Sequence, residues 1–194
     1  MKRSDLKRFI KIPALSTERL TLRKIKRSDV LDVFEYASDE RVSRFLMWSP
    51  HETLDFTKKY LAYVDSRYRR GEFYDWGIEY LGKMIGTVGF TSFSVENNSA
   101  EIGYVLSSKY WGIGIATEAV KKILEYGFCT LNLNRIEAHY MVGNDESRRV
   151  MDKCHAVFEG IMRGAVFAKN KYHDVAVMSV MREEYFENRK LGII

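Results

Sequence analysis

The chain has 194 residues, of which 46% are hydrophobic, so it is long enough to bury one substantial core. Its apolar runs are too short to cross a bilayer, and its modest formal charge of +5 comes from dispersed basic residues, which argues against a membrane or nucleic-acid partner. Its two cysteines, which have no metal-ligand spacing with the histidines, predict a cytoplasmic protein with free thiols and no metal site. We expect a single domain over residues 15–194 after a basic extension over residues 1–14.

The first half of the chain alternates between strand and helix patterns. A strand is predicted over residues 21–25, followed by a helix that Ser28 caps and that ends at Ala37, and by a short helical piece over residues 41–45. Ser49, Pro50 and Glu52 have the spacing of a capping box, which predicts a helix over residues 50–70. Three strands are then expected over residues 74–80, 84–93 and 100–106, the first two joined by a tight turn.

A glycine-punctuated turn over residues 110–114 opens directly into an amphipathic helix. Gly112 and Gly114 allow the backbone to approach a ligand closely, so that N–H groups at the positive end of the helix can bind an anion. No lysine follows the last glycine, as a nucleotide-hydrolysing P-loop requires, and Thr117 stands where a dinucleotide fingerprint has its third glycine. The pattern favours pyrophosphate binding, and a turn without a ligand is the alternative.

The second half continues with a strand over residues 135–142, a helix from Asp145 and two strands over residues 158–167 and 175–181. Residues 100–106 and 111–119 together resemble the acetyl-coenzyme A signature of the GNAT N-acetyltransferases, and most closely the branch that acetylates N-terminal alanines of ribosomal proteins. Trp111, Gly114 and Ala116 match the characteristic loop, and residues 15–23, 144–153 and 159–174 match further blocks of the family.

This resemblance implies an α/β GNAT fold. Its central sheet would be mixed and mostly antiparallel, with about six or seven strands flanked by helices and a splay between the two central parallel strands, here 101–106 and 135–142. The resemblance also implies acetyl-coenzyme A as the acetyl donor. The implied binding residues are Tyr104, Val105 and Leu106 for pantetheine, the loop Trp111, Gly112, Ile113, Gly114, Ile115, Ala116 and Thr117 for pyrophosphate, and Asn144 and Ser147 at the start of the next helix.

Two residues are candidates for catalysis on the same resemblance. Ser147 would protonate the departing thiolate, and its alternative is a serine in a helix that Asn144 caps. Glu101 would be the general base, and its alternative is a purely structural strand glutamate. Some members carry an acid on the strand after Glu159-Gly160, but residues 164–167 contain none. His155 and Ala156 also replace the Gly-Phe that usually follows the Asn-x-x-Ser helix.

The acceptor is expected to be a primary amine. The first hypothesis is a protein N-terminus, the second is a small amine such as an amino acid, a polyamine or an antibiotic, and the third is a non-catalytic module that binds acyl-coenzyme A. Acidic clusters at the acceptor site would favour a polycation. The aromatic residues at 45, 48, 73, 74 and 76 lie near that site, and most are expected in the core. The sequence leaves a monomer and a homodimer equally open.

Overall fold

The computed structural model describes residues 12–72 and 74–193, and its central feature is one eight-stranded sheet. The order across the sheet is β1-β2-β3-β4-β5-β6-β8-β7. The strands are β1 (Leu15–Ser16), β2 (Leu20–Arg23), β3 (Asp75–Tyr80), β4 (Lys83–Ser94), β5 (Ser99–Leu106), β6 (Arg135–Met141), β7 (Val157–Ala168) and β8 (Lys171–Met181). The helices are α1 (Val30–Ala37), α2 (Glu40–Ser43), α3 (Leu54–Arg70), α4 (Ile115–Glu125), α5 (Asp145–Lys153) and α6 (Arg182–Lys190).

The two faces of the sheet are covered by different helices, because successive strand residues point to opposite faces. Trp76 of β3 packs against Phe90 of β4 and against Tyr126, which follows α4, so α4 lies on the face of Trp76. Asp75 precedes Trp76 and points to the other face. There, Tyr68 of α3 donates its hydroxyl to the Asp75 carbonyl at 2.6 Å. The core therefore lies on both sides of the sheet.

A fork opens in the middle of the sheet. Strands β5 and β6 are parallel and pair only from Ser99 with Arg135 to Ile102 with Ala138. Beyond that point β5 stays with β4 as far as Leu106, and β6 stays with β8 as far as Met141. All other neighbouring strands are antiparallel. The predicted mixed sheet with its splay is confirmed, with eight strands that include the two-residue β1.

The predicted start of the long helix α3 is wrong. Thr53, not Ser49, is the cap: its hydroxyl accepts the Phe56 N–H at 3.2 Å, and the helix begins at Leu54. A capping box works only where the chain turns into the helix, and Pro50 stays outside it. The predicted end is confirmed, since Gly71 adopts the left-handed conformation that closes helices.

Smaller shifts affect the neighbouring elements. Ser28 lies inside a 3-10 turn over Arg27–Asp29 instead of capping α1, and α2 begins at Glu40, where Asp39 caps it. Helix α6 directly continues β8, and the sequence pattern did not predict it.

Residues 1–11 of the predicted basic extension lie outside the described residues. Its last residues pack onto the sheet, because Ile12 is buried and the Pro13 carbonyl accepts the Trp76 indole N–H at 2.7 Å. The division at residue 14 stays a prediction. No helix in the described ranges is long and apolar enough to span a membrane.

Candidate active site

The glycine loop forms a nest of backbone N–H groups at the open end of α4. Gly112 and Gly114 have φ values of +80° and +83°, a region that residues with a β-carbon rarely adopt. The first intrahelical bond of α4 runs from the Glu118 N–H to the Gly114 carbonyl at 3.0 Å. The N–H groups of residues 115–117 precede this bond, so they have no acceptor within the helix and can bind an anion at its positive end.

Arg19 braces this loop from the start of β2. Its Nη1 donates to the Ile113 carbonyl at 3.0 Å, and its Nε donates to the Glu118 carboxylate at 2.6 Å. The Glu118 carboxylate also accepts the Arg19 backbone N–H and the Thr17 hydroxyl. These contacts fix the loop to β2 and place a guanidinium beside Gly114, where a β-carbon would lie 3.5 Å from Arg19 Nη2.

Trp111 and Ile113 are large apolar side chains that remain exposed on the same loop. The Trp111 indole N–H donates to the Leu106 carbonyl at 2.8 Å. This bond uses one of the strand-end carbonyls that the family resemblance assigns to pantetheine, and it ties the loop to the mouth of the fork. Exposed apolar groups beside an anion nest suit a ligand with a polyphosphate and an extended apolar arm.

Ser147 faces the fork from α5, and it is hydrogen-bonded to Tyr104 of β5. The two hydroxyl oxygens are 2.7 Å apart, and the Tyr104 hydroxyl also donates to the Ser147 carbonyl at 3.0 Å. Burial raises the pKa of Tyr104, so the phenol stays protonated at working pH. Asn144 Oδ1 accepts the Ser147 N–H at 3.2 Å, which confirms the predicted cap. Ser147 is thus a held hydroxyl with a protonated neighbour.

Glu101 lies on the opposite face, one residue before the paired part of β5 ends. Its carboxylate is 3.7 Å from His139 Nδ1, whose Nε2 is 3.4 Å from Glu137. Arg135 binds Glu137 at 2.8 Å. Glu101 keeps 28% of its side chain exposed, so it remains accessible from the fork, and its role as a base stays a prediction.

Asp75 is a carboxylate near the fork that the sequence analysis missed. It is paired across the sheet with Gly89, and Gly89 is paired with Gly103. A β-carbon on Gly89 would lie 2.3 Å from Asp75 Oδ1, so the carboxyl group lies over Gly89, the residue of β4 between Asp75 and β5. Burial raises the pKa of Asp75 to about 7. The signal, two glycines opposite an aspartate, becomes visible only once the register is known.

The aromatic residues predicted near the acceptor site lie in two different environments. Trp76 is fully buried on the α4 face, whereas Trp48 is half-buried against His51, which in turn contacts Phe56 and Tyr60 of α3. Tyr74 is half-buried, and Phe73 lies outside the described residues. Within residues 12–72 and 74–193, no group of three histidine, cysteine or acidic side chains could hold a metal.

The assembled site has three parts: an anion nest, a fork in the sheet, and ionisable groups on both faces of that fork. The residues present fit acetyl-coenzyme A. The nest suits pyrophosphate, and a β-carbon on Gly112 would meet no described atom within 4 Å, so the approach is open. The fork leaves strand-edge groups of β5 free for an extended arm. This arrangement defines a class of protein that binds a phosphorylated acyl carrier across an open sheet.

Comparison with known proteins identifies the family. The family model described as "Acetyltransferase (GNAT) domain" matches residues 19–157, and this chain belongs to that family. The uncharacterized N-acetyltransferase p20 of Bacillus licheniformis is 35% identical over 173 residues, which cover 88% of this chain and 97% of p20. The predicted GNAT membership and enzyme class, an acetyl-coenzyme A-dependent N-acetyltransferase, are confirmed.

Two further relatives carry different names. YdaF of Bacillus subtilis, named provisionally as a ribosomal N-acetyltransferase, is 26% identical over 172 residues, covering 87% of this chain and 94% of YdaF. Spermidine N(1)-acetyltransferase of Vibrio cholerae is 26% identical over 170 residues, covering 86% and 95%.

Solved structures share the fold. A GNAT-family acetyltransferase from Bacillus anthracis is 28% identical with a TM-score of 0.78, covering 89% of this chain and 100% of that one. RimL, a ribosomal L7/L12 α-N-protein acetyltransferase solved with coenzyme A, has a TM-score of 0.75 at 23% identity, covering 89% and 99%.

Proposed function

We propose that this chain transfers the acetyl group of acetyl-coenzyme A to a primary amine by direct attack of the amine on the thioester. The observation that carries this proposal is the fork, because it opens between the anion nest of α4 and the ionisable groups on the two faces of the sheet. Acetyl-coenzyme A supplies an activated acyl group whose thiol can leave. The loop amides of residues 112–117 bind its pyrophosphate, and the backbone of β5 from Tyr104 to Leu106, apart from the Leu106 carbonyl that Trp111 holds, aligns its arm.

Ser147 supplies a proton to the departing sulfur in this proposal. Its hydroxyl is held towards the fork by Tyr104, and the cap from Asn144 fixes the helix turn on which it stands. Burial raises the pKa of the Tyr104 phenol, so it stays uncharged and holds the Ser147 hydroxyl as a hydrogen-bond partner. Replacing Ser147 with alanine is expected to lower kcat about 100-fold, typical for loss of one general acid, while acetyl-coenzyme A binding is retained.

The first candidate acceptor is the α-amino group of a protein N-terminus. The provisional name of YdaF supports it, and so does the chemistry of the amine. An α-amine has a pKa of about 8 and a lysine amine about 10.4, so an N-terminus needs much less help to become neutral near pH 7.

The second candidate is a small polyamine, which the charges on the α1 and α3 face of the sheet favour. Asp75, Glu101 and Glu137 lie on that face, and the guanidinium of Arg135 is shared between Glu137 and Glu159. The surplus of carboxylates gives this side of the fork a negative field that attracts a cation carrying several amines. The name of the Vibrio cholerae relative supports the same candidate. We also infer a cytoplasmic location, which suits the free thiols Cys129 and Cys154.

The test is acetyl-coenzyme A-dependent thiol release with N-terminal peptides in one series and spermidine and spermine in another. Turnover with one series selects that acceptor. Release with neither series, when acetyl-coenzyme A binding is demonstrated, would contradict both candidates and favour the silent binding module.

A further inference from the structure

Asp75, on β3, is a carboxylate whose side chain has no partner among the described residues. Within the described ranges its side chain accepts no hydrogen bond and forms no ion pair, whereas the nearby Asp29 is held by two contacts from Arg23. The residue remains half-buried, so the space in front of it is not sealed. Even partial burial makes a carboxylate without a partner costly, and such groups concentrate at functional sites.

We infer that Asp75 is the catalytic base, the group that takes a proton from the acceptor ammonium before the amine attacks the thioester. This inference rests on the proposed function and assigns a residue that completes it. It places the base on the face of the sheet opposite Ser147, so that proton removal and proton donation occur on the two sides of the fork.

The sheet register sets the distance from this carboxyl to the fork. Asp75, Gly89 and Gly103 form a row across β3, β4 and β5, and Gly103 is the first residue of β5 beyond its pairing with β6. Neighbouring strands are about 4.8 Å apart, and the carboxyl lies over Gly89, so it is about 5 Å from the strand that forms one arm of the fork. An amine nitrogen between them can contact both the carboxyl and a thioester carbon, each at about 3 Å.

Glycine is required in this row for the carboxyl to reach the fork. A β-carbon on Gly89 would overlap both Asp75 Oδ1 at 2.3 Å and Asp75 Cα at 2.4 Å. Only Gly89 therefore leaves room for the side chain to cross β4. Thr91 is the bulged residue of β4, and its methyl group lies over Gly103. A β-carbon on Gly103 would be 2.8 Å from that methyl group. Asp75 and Thr91 thus border the approach on the α1 and α3 face.

The tyrosines around Asp75 carry no charge near pH 7, so they do not lower its raised pKa. The tyrosines that interact with it electrostatically are Tyr36 of α1 and Tyr60 and Tyr68 of α3, and burial raises the pKa of each. All three are neutral near pH 7. On the strands, Glu101 of β5 lies farther along the same face, and Arg23 of β2 is occupied by Asp29 and Glu79.

The proton balance is complete. The Asp75 carboxylate accepts one proton from the ammonium and becomes a neutral acid, which a pKa of about 7 allows at working pH. The neutral amine then forms the C–N bond as the C–S bond breaks. Ser147 passes its hydroxyl proton to the thiolate, and the second proton, which leaves the new amide nitrogen, restores that hydroxyl. Asp75 returns its proton to solvent, so the net products are the amide, the free thiol and one proton.

The experiment compares the pH profiles of kcat/KM for wild type, Asp75→Asn and Glu101→Gln with the best amine of the thiol-release panel. Asp75→Asn is expected to lower kcat/KM by about 100-fold to 10,000-fold and to lose the limb near pH 7, with the Kd of acetyl-coenzyme A unchanged. Glu101→Gln removes one charge from the same face and is the matched comparison. A limb that persists in Asp75→Asn and vanishes in Glu101→Gln would overturn the inference.

A second measurement does not depend on turnover. A carbon-13 NMR titration of the Asp75 carboxyl, assigned by its disappearance in Asp75→Asn, is expected to have its midpoint near pH 7. A midpoint near 4 would overturn the inference even if wild type acetylates no amine of the panel. If wild type acetylates no amine of the panel, that result contradicts the proposed function, and the NMR midpoint still tests Asp75 on its own.

Discussion

Replacing Asp75 with asparagine is expected to stabilise the protein, and to do so increasingly as the pH rises. The folded-state pKa of about 7 lies about three units above the ordinary value of 3.8, and each unit corresponds to about 1.4 kcal/mol. Because the folded state holds the proton more tightly, its stability is highest below the unfolded pKa and falls as the pH rises towards 7. Linkage gives a cost of about 2 kcal/mol at pH 5 and about 4 kcal/mol at pH 8.5.

Asparagine resembles the neutral acid in shape and removes this cost. The stability gained by Asp75→Asn is therefore expected to grow by roughly 2–3 kcal/mol between pH 5 and pH 8.5. Urea unfolding of both proteins at several pH values measures it, since all other titrating groups are common to the two and cancel. Asp152→Asn, on the exposed side of α5, controls for the loss of one negative charge.

A gain that stays constant across this pH range would refute the reasoning, because it would show that Asp75 does not titrate between pH 5 and pH 8.5 in the folded state. A destabilised variant at pH 8.5 would refute it more strongly. It would mean that the carboxylate has a stabilising partner in the folded protein. The expected outcome, a more stable protein with less activity, is the trade-off that functional carboxyl groups commonly show.

Three other substitutions test the loop and helix ends. Gly114→Glu places a carboxylate within reach of Arg19 and strains a left-handed residue, so calorimetry should detect no acetyl-coenzyme A binding, and normal binding would contradict the nest. Arg19→Met removes the brace, so the Kd should rise about 10-fold, whereas Arg27→Met, whose guanidinium pairs with Asp65 away from the loop, should leave it unchanged. His155→Gly relieves the strain of a φ of +59° after α5, so urea unfolding should give a free energy of unfolding about 1 kcal/mol higher. A lower free energy of unfolding would show that the imidazole is needed there.

The elements that the sequence predicted well have local signals. The loop from Trp111 to Thr117, the cap at Asn144 and the stop at Gly71 each depend on residues within a few positions of one another. The fork was predicted from the family resemblance, and the pairing of β5 with β6 confirms it. The start of α3 was predicted wrongly at Ser49 and Pro50, because the path of the chain before α3 selects Thr53 as the cap and a local pattern does not record that path.

The residues that the sequence missed depend on contacts between distant segments. Arg19 and Glu118 are 99 positions apart, and nothing in either neighbourhood indicates that they meet. Asp75 lies near the start of the strand predicted over residues 74–80, where nothing marks it. Its importance follows from the glycines opposite it. The position of Asp75 depends on strand register, and the pair of Arg19 and Glu118 depends on how α4 packs against the start of β2; periodicity fixes neither.

Among the described residues, the fork also leaves the end of β5 without a paired strand on its β6 side. Within the part of the chain that the structure describes, β5 has a neighbouring strand on one side only from Gly103 to Leu106, so its remaining strand-edge groups depend on water for their hydrogen bonds. A ligand arm lying there would act as the missing strand, and it would bind the folded chain but not the unfolded one. Mass action then adds about 2.7 kcal/mol of stability at a ligand concentration of 100 times Kd. The amount of folded enzyme in a cell would accordingly rise and fall with the supply of its own acyl donor.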